Sequence, residues 1–346
     1  MKVKRIISHI FLAYFIFSVV SLLLCLSSPH LAYFLNFSVA SYPRRFFAAL
    51  SSAFGFSLFE ILVLASPMLI AIAVIYIVRA GSVRDTKRRF VLLLSIGSLL
   101  PSNYVFMIAI PNLSPSPLFF DSSKVSEADI ISSAKILAAG VNELCDEEHR
   151  NISYEILSRE LTDSYYTALS EYGILSRKLP VAKPLIFSEV LSRTGALATY
   201  SPPTGEVNIS SEIPSYMAPF SVAHEYAHLS GIGGEGDANV FAFVCCEGSK
   251  SPAIQYSARL TILEYLLSDL HEIDRETYIN VYNSLDLQAV EDIKEHVEYS
   301  KRYESRAMFR LSEKLNFAHR KLWDKKNKRS YSSTTLRIVF YLKNNQ

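Results

Sequence analysis

The residues best suited to chemistry are His224, Glu225 and His228, in the run His224-Glu225-Tyr226-Ala227-His228. The surrounding segment, Ala218 to Leu229, has good helical composition. Residues four apart on a helix are neighbours on one face. Two imidazoles at that spacing can hold one zinc ion. Glu225 can then act as general base toward a water whose pKa such an ion lowers toward about 7. By chance the bare pattern arises about once per hundred chains of this His and Glu usage. Context must therefore decide between this chemistry and two ordinary histidines beside a solvated glutamate.

A catalytic zinc needs a third protein ligand and an open fourth position. Leu229-Ser230-Gly231-Ile232-Gly233-Gly234 reads as a flexible reversal, and Glu235-Gly236-Asp237-Ala238-Asn239 opens a second apolar helix. A tight reversal would bring Glu235 or Asp237 to face the two histidines, and carboxylate is a normal third ligand. Cys245 and Cys246 are poorer choices, since ten helical residues beyond Glu235 is roughly 15 Å. Gly234 stands where HExxHxxGxxH enzymes carry a third histidine, which excludes that subclass.

This block resembles the zincin metallopeptidases, in the branch with HExxH followed by ExxA[DN]. Glu235 to Asn239 fits ExxAN, and the resemblance implies Glu235 as ligand. More closely, the chain resembles a bacterial membrane family of unknown function with three N-terminal spans and a zinc-peptidase-like domain. The matching stretch runs from Pro184 to about Val244. It includes Ala198 to Asn208, Pro219-Phe220, the HExxHxxG run and the ExxAN block. A weaker match lies around Asn316 and Ser330-Tyr331. The chain departs from the family pattern at Asp237, where Glu is commoner, and at Gly234. The resemblance also implies a strand beside the active helix that binds substrate by strand addition. Thr204 to Ile209 is the candidate, with Thr204, Glu206 and Asn208 as its polar residues, and a plain hairpin is the alternative. Asp237, Asn239, Tyr200 and Tyr331 are the candidates to support the ligands or a tetrahedral oxyanion. His149, His271, His296 and His319 lie among charged residues and read as solvated.

The elements that position these residues begin in the membrane. The 346 residues are 50% hydrophobic and 20% charged, with mean hydropathy +0.19. Charge is nearly absent from the first third. Apolar runs at about 6–28, 58–78 and 90–110 are each long enough to cross a hydrocarbon core, which takes roughly 20 residues. The first run exceeds a signal-peptide core of roughly 7–15 residues, so an uncleaved span is expected. Lys2, Lys4 and Arg5 precede it, and Arg79, Arg84, Lys87, Arg88 and Arg89 crowd the loop between spans two and three. Basic residues near span ends favour the cytoplasmic side, which puts the N-terminus inside and the rest of the chain outside.

Pro111, Pro115 and Pro117 mark a linker over 111–125. Residues 126–346 then read as one globular domain, helical over Ser126–Glu148, Ile152–Tyr172 and most of Ala218–Arg310. A hairpin is expected over Leu197–Ile209, and a break at Pro180–Pro184. The fold class expected is mainly α (α+β), with three transmembrane helices, a largely helical zincin-like domain and a small hairpin or sheet. Four cysteines exclude a disulfide-stapled scaffold, and a net charge of +2 gives no signal for nucleic acid.

The expected function is a membrane-anchored zinc metallopeptidase with one Zn2+ per chain and Glu225 as base. Its expected partners are the bilayer and a peptide substrate near the outer face of the plasma membrane. The alternatives are a non-catalytic zinc-stabilised domain that binds a partner, and a cell-envelope hydrolase acting on a non-protein substrate.

Overall fold

The computed structural model describes residues 2–145, 152–172, 174, 178–303 and 333–345. The chain is 74% helical, and the described residues form one three-stranded sheet. It divides into two compact units, Met1–Pro115 with Ser201–Glu206, and Ser116–Tyr200 with Val207–Gln346. The Pro115–Ser116 boundary falls inside the segment read as a linker. That 201–206 groups with the first unit departs from the sequence reading, which gave all of 126–346 to one domain.

The first unit contains α1 (Lys2–Ser27), α2 (Pro29–Phe34), α3 (Ser41–Ser51), α4 (Leu58–Val78), α5 (Val83–Gly97), α6 (Leu99–Tyr104) and α7 (Ile110–Leu113). Among the described residues, three helical stretches are long and apolar enough to cross a membrane: Ile6–Ser27, Leu58–Val78 and Val83–Leu113. The third starts earlier than expected because the Ser82 hydroxyl caps it, accepting from Asp85 N at 3.2 Å. α4 has no buried residue although it is apolar but for Glu60 in its first turn and Ser66, a pattern suited to an apolar surrounding.

Between the first two stretches the chain is not an open loop. α2, a π turn at Leu35–Val39 and α3 pack there. Arg44, 2% exposed, donates to Asn36 Oδ1 (2.9 Å), Asn36 O (2.7 Å) and Phe106 O (3.2 Å). Phe106 lies in a second π turn, Val105–Ala109. A buried guanidinium is tolerable only when its donors are satisfied in this way.

The segment 201–206 is held by two features. Gly205 has φ +67°, and a Cβ there would stand 2.5 Å from Ala48 N. The Glu206 carboxylate accepts from Leu58 N (3.0 Å) and Phe59 N (2.8 Å), capping the start of α4.

The second unit holds α8 (Glu127–Asn142), α9 (Tyr154–Glu171), β1 (Lys183–Leu185), α10 (Ser188–Ser192), β2 (Ala198–Ser201), β3 (Glu206–Ser210), α11 (Met217–Ser230), α12 (Glu235–Glu247), α13 (Pro252–Ile273), α14 (Arg275–Asn283), α15 (Leu287–Tyr303) and α16 (Ser333–Asn344). α8 starts with a Ser126–Asp129 capping box. α11 packs on α12 and α13, and α12 in turn packs on α9 and α16. Its core is the apolar run of α12 together with the buried faces of α11 and α13.

The sheet order is β1-β3-β2, with β1 parallel to β3 and Lys183 opposite Asn208. β1 lies where the sequence reads a break. As a result β3, the expected substrate strand, is the middle strand. It is paired on both sides and buried throughout, so Thr204 to Ile209 offers no free edge. β2 is the outer strand on the side of the site.

Candidate metal centre

α11 divides into two faces. Val222, Ala223, Tyr226 and Ala227 are fully buried, while His224, Glu225 and His228 are partly exposed. The buried face is fixed by two phenols, Tyr165 bonding Ala223 O and Tyr226 bonding Pro180 O. Their rings also meet edge to face, with centroids 6.2 Å apart. α11 ends at Gly231, whose φ of 101° suits a left-handed cap, and Ile232 N bonds back to Ala227 O. This reversal starts α12 at Glu235, facing the histidines.

Three donor atoms converge there. His224 Nε2 and His228 Nε2 are 3.1 Å apart, and Glu235 Oε2 lies 3.2 Å from the first and 3.7 Å from the second. Among the described residues these three form a cluster able to hold a metal ion. Zinc bonds of about 2.0–2.1 Å in a tetrahedron require donors roughly 3.3–3.4 Å apart, and two imidazole nitrogens with a carboxylate oxygen are an ordinary zinc set.

The far side of each ring sets its tautomer. His224 Nδ1 lies 2.8 Å from Asn239 Oδ1, and His228 Nδ1 lies 2.8 Å from Ile232 O. Both acceptors call for a proton on Nδ1, so each ring in its neutral form turns its Nε2 lone pair to the shared point. In the metal-free protein, burial opposes a charge on His228. The Glu235 carboxylate outweighs burial, and the imidazole is pushed up to about 9. Glu225 stands apart from the trio, its Oε2 accepting from Tyr200 N at 2.6 Å.

The other candidates fall in different places. Asp237, 8% exposed, is not a ligand, because it pairs with Arg337 of α16. The Arg337 guanidinium also lies over the Phe120 ring at 4.5 Å. Asn239 supports His224 and donates from Nδ2 to Thr334 Oγ1 at 2.9 Å. Tyr200 contributes its backbone N–H, and its side chain is buried rather than lining the cleft. Tyr331 lies outside the described residues. Glu206 caps α4 and Asn208 is buried in β3. The cysteines Cys25, Cys145, Cys245 and Cys246 are free thiols.

The trio opens into a cleft of about 1020 Å³ that reaches from Glu235 past Tyr265 to Lys301. Tyr265 is 40% exposed in it, and burial together with the Glu235 and Glu264 carboxylates raises its phenol, keeping it a proton donor. His296 is not simply solvated: its Nδ1 lies 2.7 Å from Glu264 Oε2. Thr334, Arg337, Tyr265 and the Glu264–His296 pair escaped the sequence reading, and no local motif marks them.

The family model described as "Protein of unknown function (DUF3810)" matches residues 38–335. No curated protein and no solved structure matches the chain.

Proposed function

The chain belongs to that family, whose description assigns no chemistry, and from the site itself we propose a membrane-anchored zinc-dependent peptidase. One observation carries the reading. Three potential ligand atoms meet at 3.1–3.7 Å, and the acceptor beside each Nδ1 favours the tautomer that leaves Nε2 to a metal. A zinc ion would accept all three electron pairs at once, as in ordinary two-histidine, one-carboxylate sites.

His224, His228 and Glu235 hold the ion. Bound there, zinc supplies Lewis acidity, which activates water near neutral pH and polarises a carbonyl. Glu225 is fixed through Oε2 by the Tyr200 N–H, leaving Oε1 to take a proton and return it to the leaving amine. The outer edge of β2, where Leu197 and Ala198 line the cleft, is the place for an extended peptide backbone. An open cleft favours a peptide over a small enclosed substrate.

For orientation, the basic residues at 2–5 and 79–89 support a cytoplasmic N-terminus, with the metal centre on the outer side of the plasma membrane.

The test uses the full chain in detergent. One zinc per chain is expected, lost in His224→Ala, together with cleavage of a mixed peptide library. Protein without metal sinks the reading. Protein with metal that cleaves nothing in the library supports the non-catalytic alternative. A reporter fused after Gln346 should be active only outside the cytoplasm.

A further inference from the structure

The segment between the first two apolar stretches is built the wrong way round for water. In α3, Arg44, Ala48 and Ser51 are buried, and Ser51 Oγ donates to Ala48 O at 3.1 Å. At about 100° per residue, Tyr42, Phe46 and Leu50 project from nearly the opposite side of the helix. These three are 70%, 63% and 51% exposed, and Phe54 and Phe56 just beyond the helix are exposed as well. A helix packed in water hides its rings and shows its arginine and serines. α3 does the reverse. Five large apolar side chains exposed between Tyr42 and Phe56 form a patch rather than scattered surface residues.

Length and depth identify what covers that face. Eleven residues make about 16 Å of helix, half of what a hydrocarbon core of about 30 Å requires, so α3 does not cross. Its level is fixed by the bond from Arg44 to Phe106 O. Phe106 lies seven residues before Leu113, where the third apolar stretch ends, or about 10 Å along the helix. The first stretch gives the same level. Cys25, two residues from its end, packs in one core with Leu35, Ala40, Phe106 and Ile110. Interfacial helices bury their apolar face about 5–10 Å into the boundary between headgroups and acyl chains. Phe54 and Phe56 carry the exposed apolar surface on toward α4, which has no buried residue.

We propose that α3 is an interfacial helix, with Tyr42, Phe46 and Leu50 seated in the headgroup–acyl boundary of a phospholipid bilayer. Arg44 pins the helix at that level from its inner side, through Asn36 and Phe106. Tyrosine at 42 suits the place, having an apolar ring and a polar tip. This role is independent of the peptidase reading.

The test places tryptophan on the outer face by Tyr42→Trp, Phe46→Trp and Leu50→Trp, one at a time. Each full-length variant is reconstituted into phosphatidylcholine vesicles, and the signal of the one native tryptophan, Trp323, is subtracted. The added emission should lie to the blue of free tryptophan. Phosphatidylcholine brominated near the headgroup end of its chains should quench it more than phosphatidylcholine brominated near the chain ends. Acrylamide in the water should quench it far less than it quenches free tryptophan. Acrylamide quenching equal to that of free tryptophan puts the face in water and overturns the proposal. Stronger quenching by the deeper bromines places the face in the hydrocarbon core and overturns it too. Quenching by neither reagent means that protein covers the face, and overturns the lipid assignment; recovery of lipid quenching on dilution with lipid would identify a second copy. Three positions read the same face, so one variant that fails to fold does not remove the test.

Discussion

The change Glu225→Gln separates catalysis from metal binding. Glu225 follows His224 directly, so it projects about 100° away around the helix. Its Oε2 is 2.6 Å from Tyr200 N, and the metal-facing atoms belong to three other residues. Glutamine keeps the volume, and its carbonyl oxygen can still accept the Tyr200 N–H. That bond loses its charge assistance, a loss of about 1 kcal/mol, small beside a total stability of about 5–15 kcal/mol. The second carboxylate oxygen becomes an amide nitrogen that cannot take a proton. General-base catalysis is commonly worth 10²–10⁴-fold, or about 2.7–5.5 kcal/mol of barrier. Metal analysis, thermal unfolding and a count of new amino termini from a peptide library read the three effects separately. Zinc stoichiometry and midpoint should hold while cleavage falls at least about a hundredfold. A residual rate within about tenfold of wild type would refute the base assignment. Loss of metal in the variant would make Glu225 a structural residue instead.

Zinc affinity should rise with pH. His228 must lose its proton to ligate, and its metal-free pKa of about 9 means that affinity drops roughly tenfold per unit below that value, as competition titrations would show. The sign for the metal-free fold is opposite. The raised imidazole stabilises it fully below the ordinary histidine value near 6.5, and that contribution is lost as pH rises through about 9. Asn239→Ala should weaken zinc binding about 10–100-fold by releasing His224. Asp237→Ala should leave zinc affinity near wild type but lower the thermal midpoint, because it strands Arg337. In detergent, Glu206→Ala should lower stability by about 0.5–2 kcal/mol, since the first N–H groups of α4 lose their cap.

The cluster of His224, His228 and Glu235 was legible because all three lie within one short stretch. Histidines four apart define a helix face, and a glycine-rich reversal returns the next helix to it. The three membrane stretches were legible because length and apolarity suffice. What supports the ligands was not legible. Thr334 and Arg337 reach Asn239 and Asp237 from across roughly a hundred residues, and no periodicity reports such a contact. β1 was hidden because three residues with a central proline carry no alternation. That omission left β3 to be read as a strand with an open edge. A hairpin alone leaves either strand free, and only the parallel pairing of β1 makes β3 the interior one. His296 looked solvated because its partner sits on another helix, 32 positions away.

Packing and chemistry alternate within the five residues from His224 to His228, and the sheet links the two. Tyr226, wholly buried, bonds Pro180 O just before β1. β1 pairs with β3, and β3 is joined to β2 by the 202–205 turn. β2 then returns to α11, where the Tyr200 N–H holds Glu225. The path leaves α11 at Tyr226 and comes back at the adjacent residue. Three paired strands fix its length, so a shift of α11 along its axis would break a bond at Pro180 or at Tyr200. The helix that carries His224 and His228 is thereby set in register with the strand edge that faces the cleft. A general base must lie within about 3 Å of the proton it takes, and for the proposed role of Glu225 this circuit would supply such a tolerance.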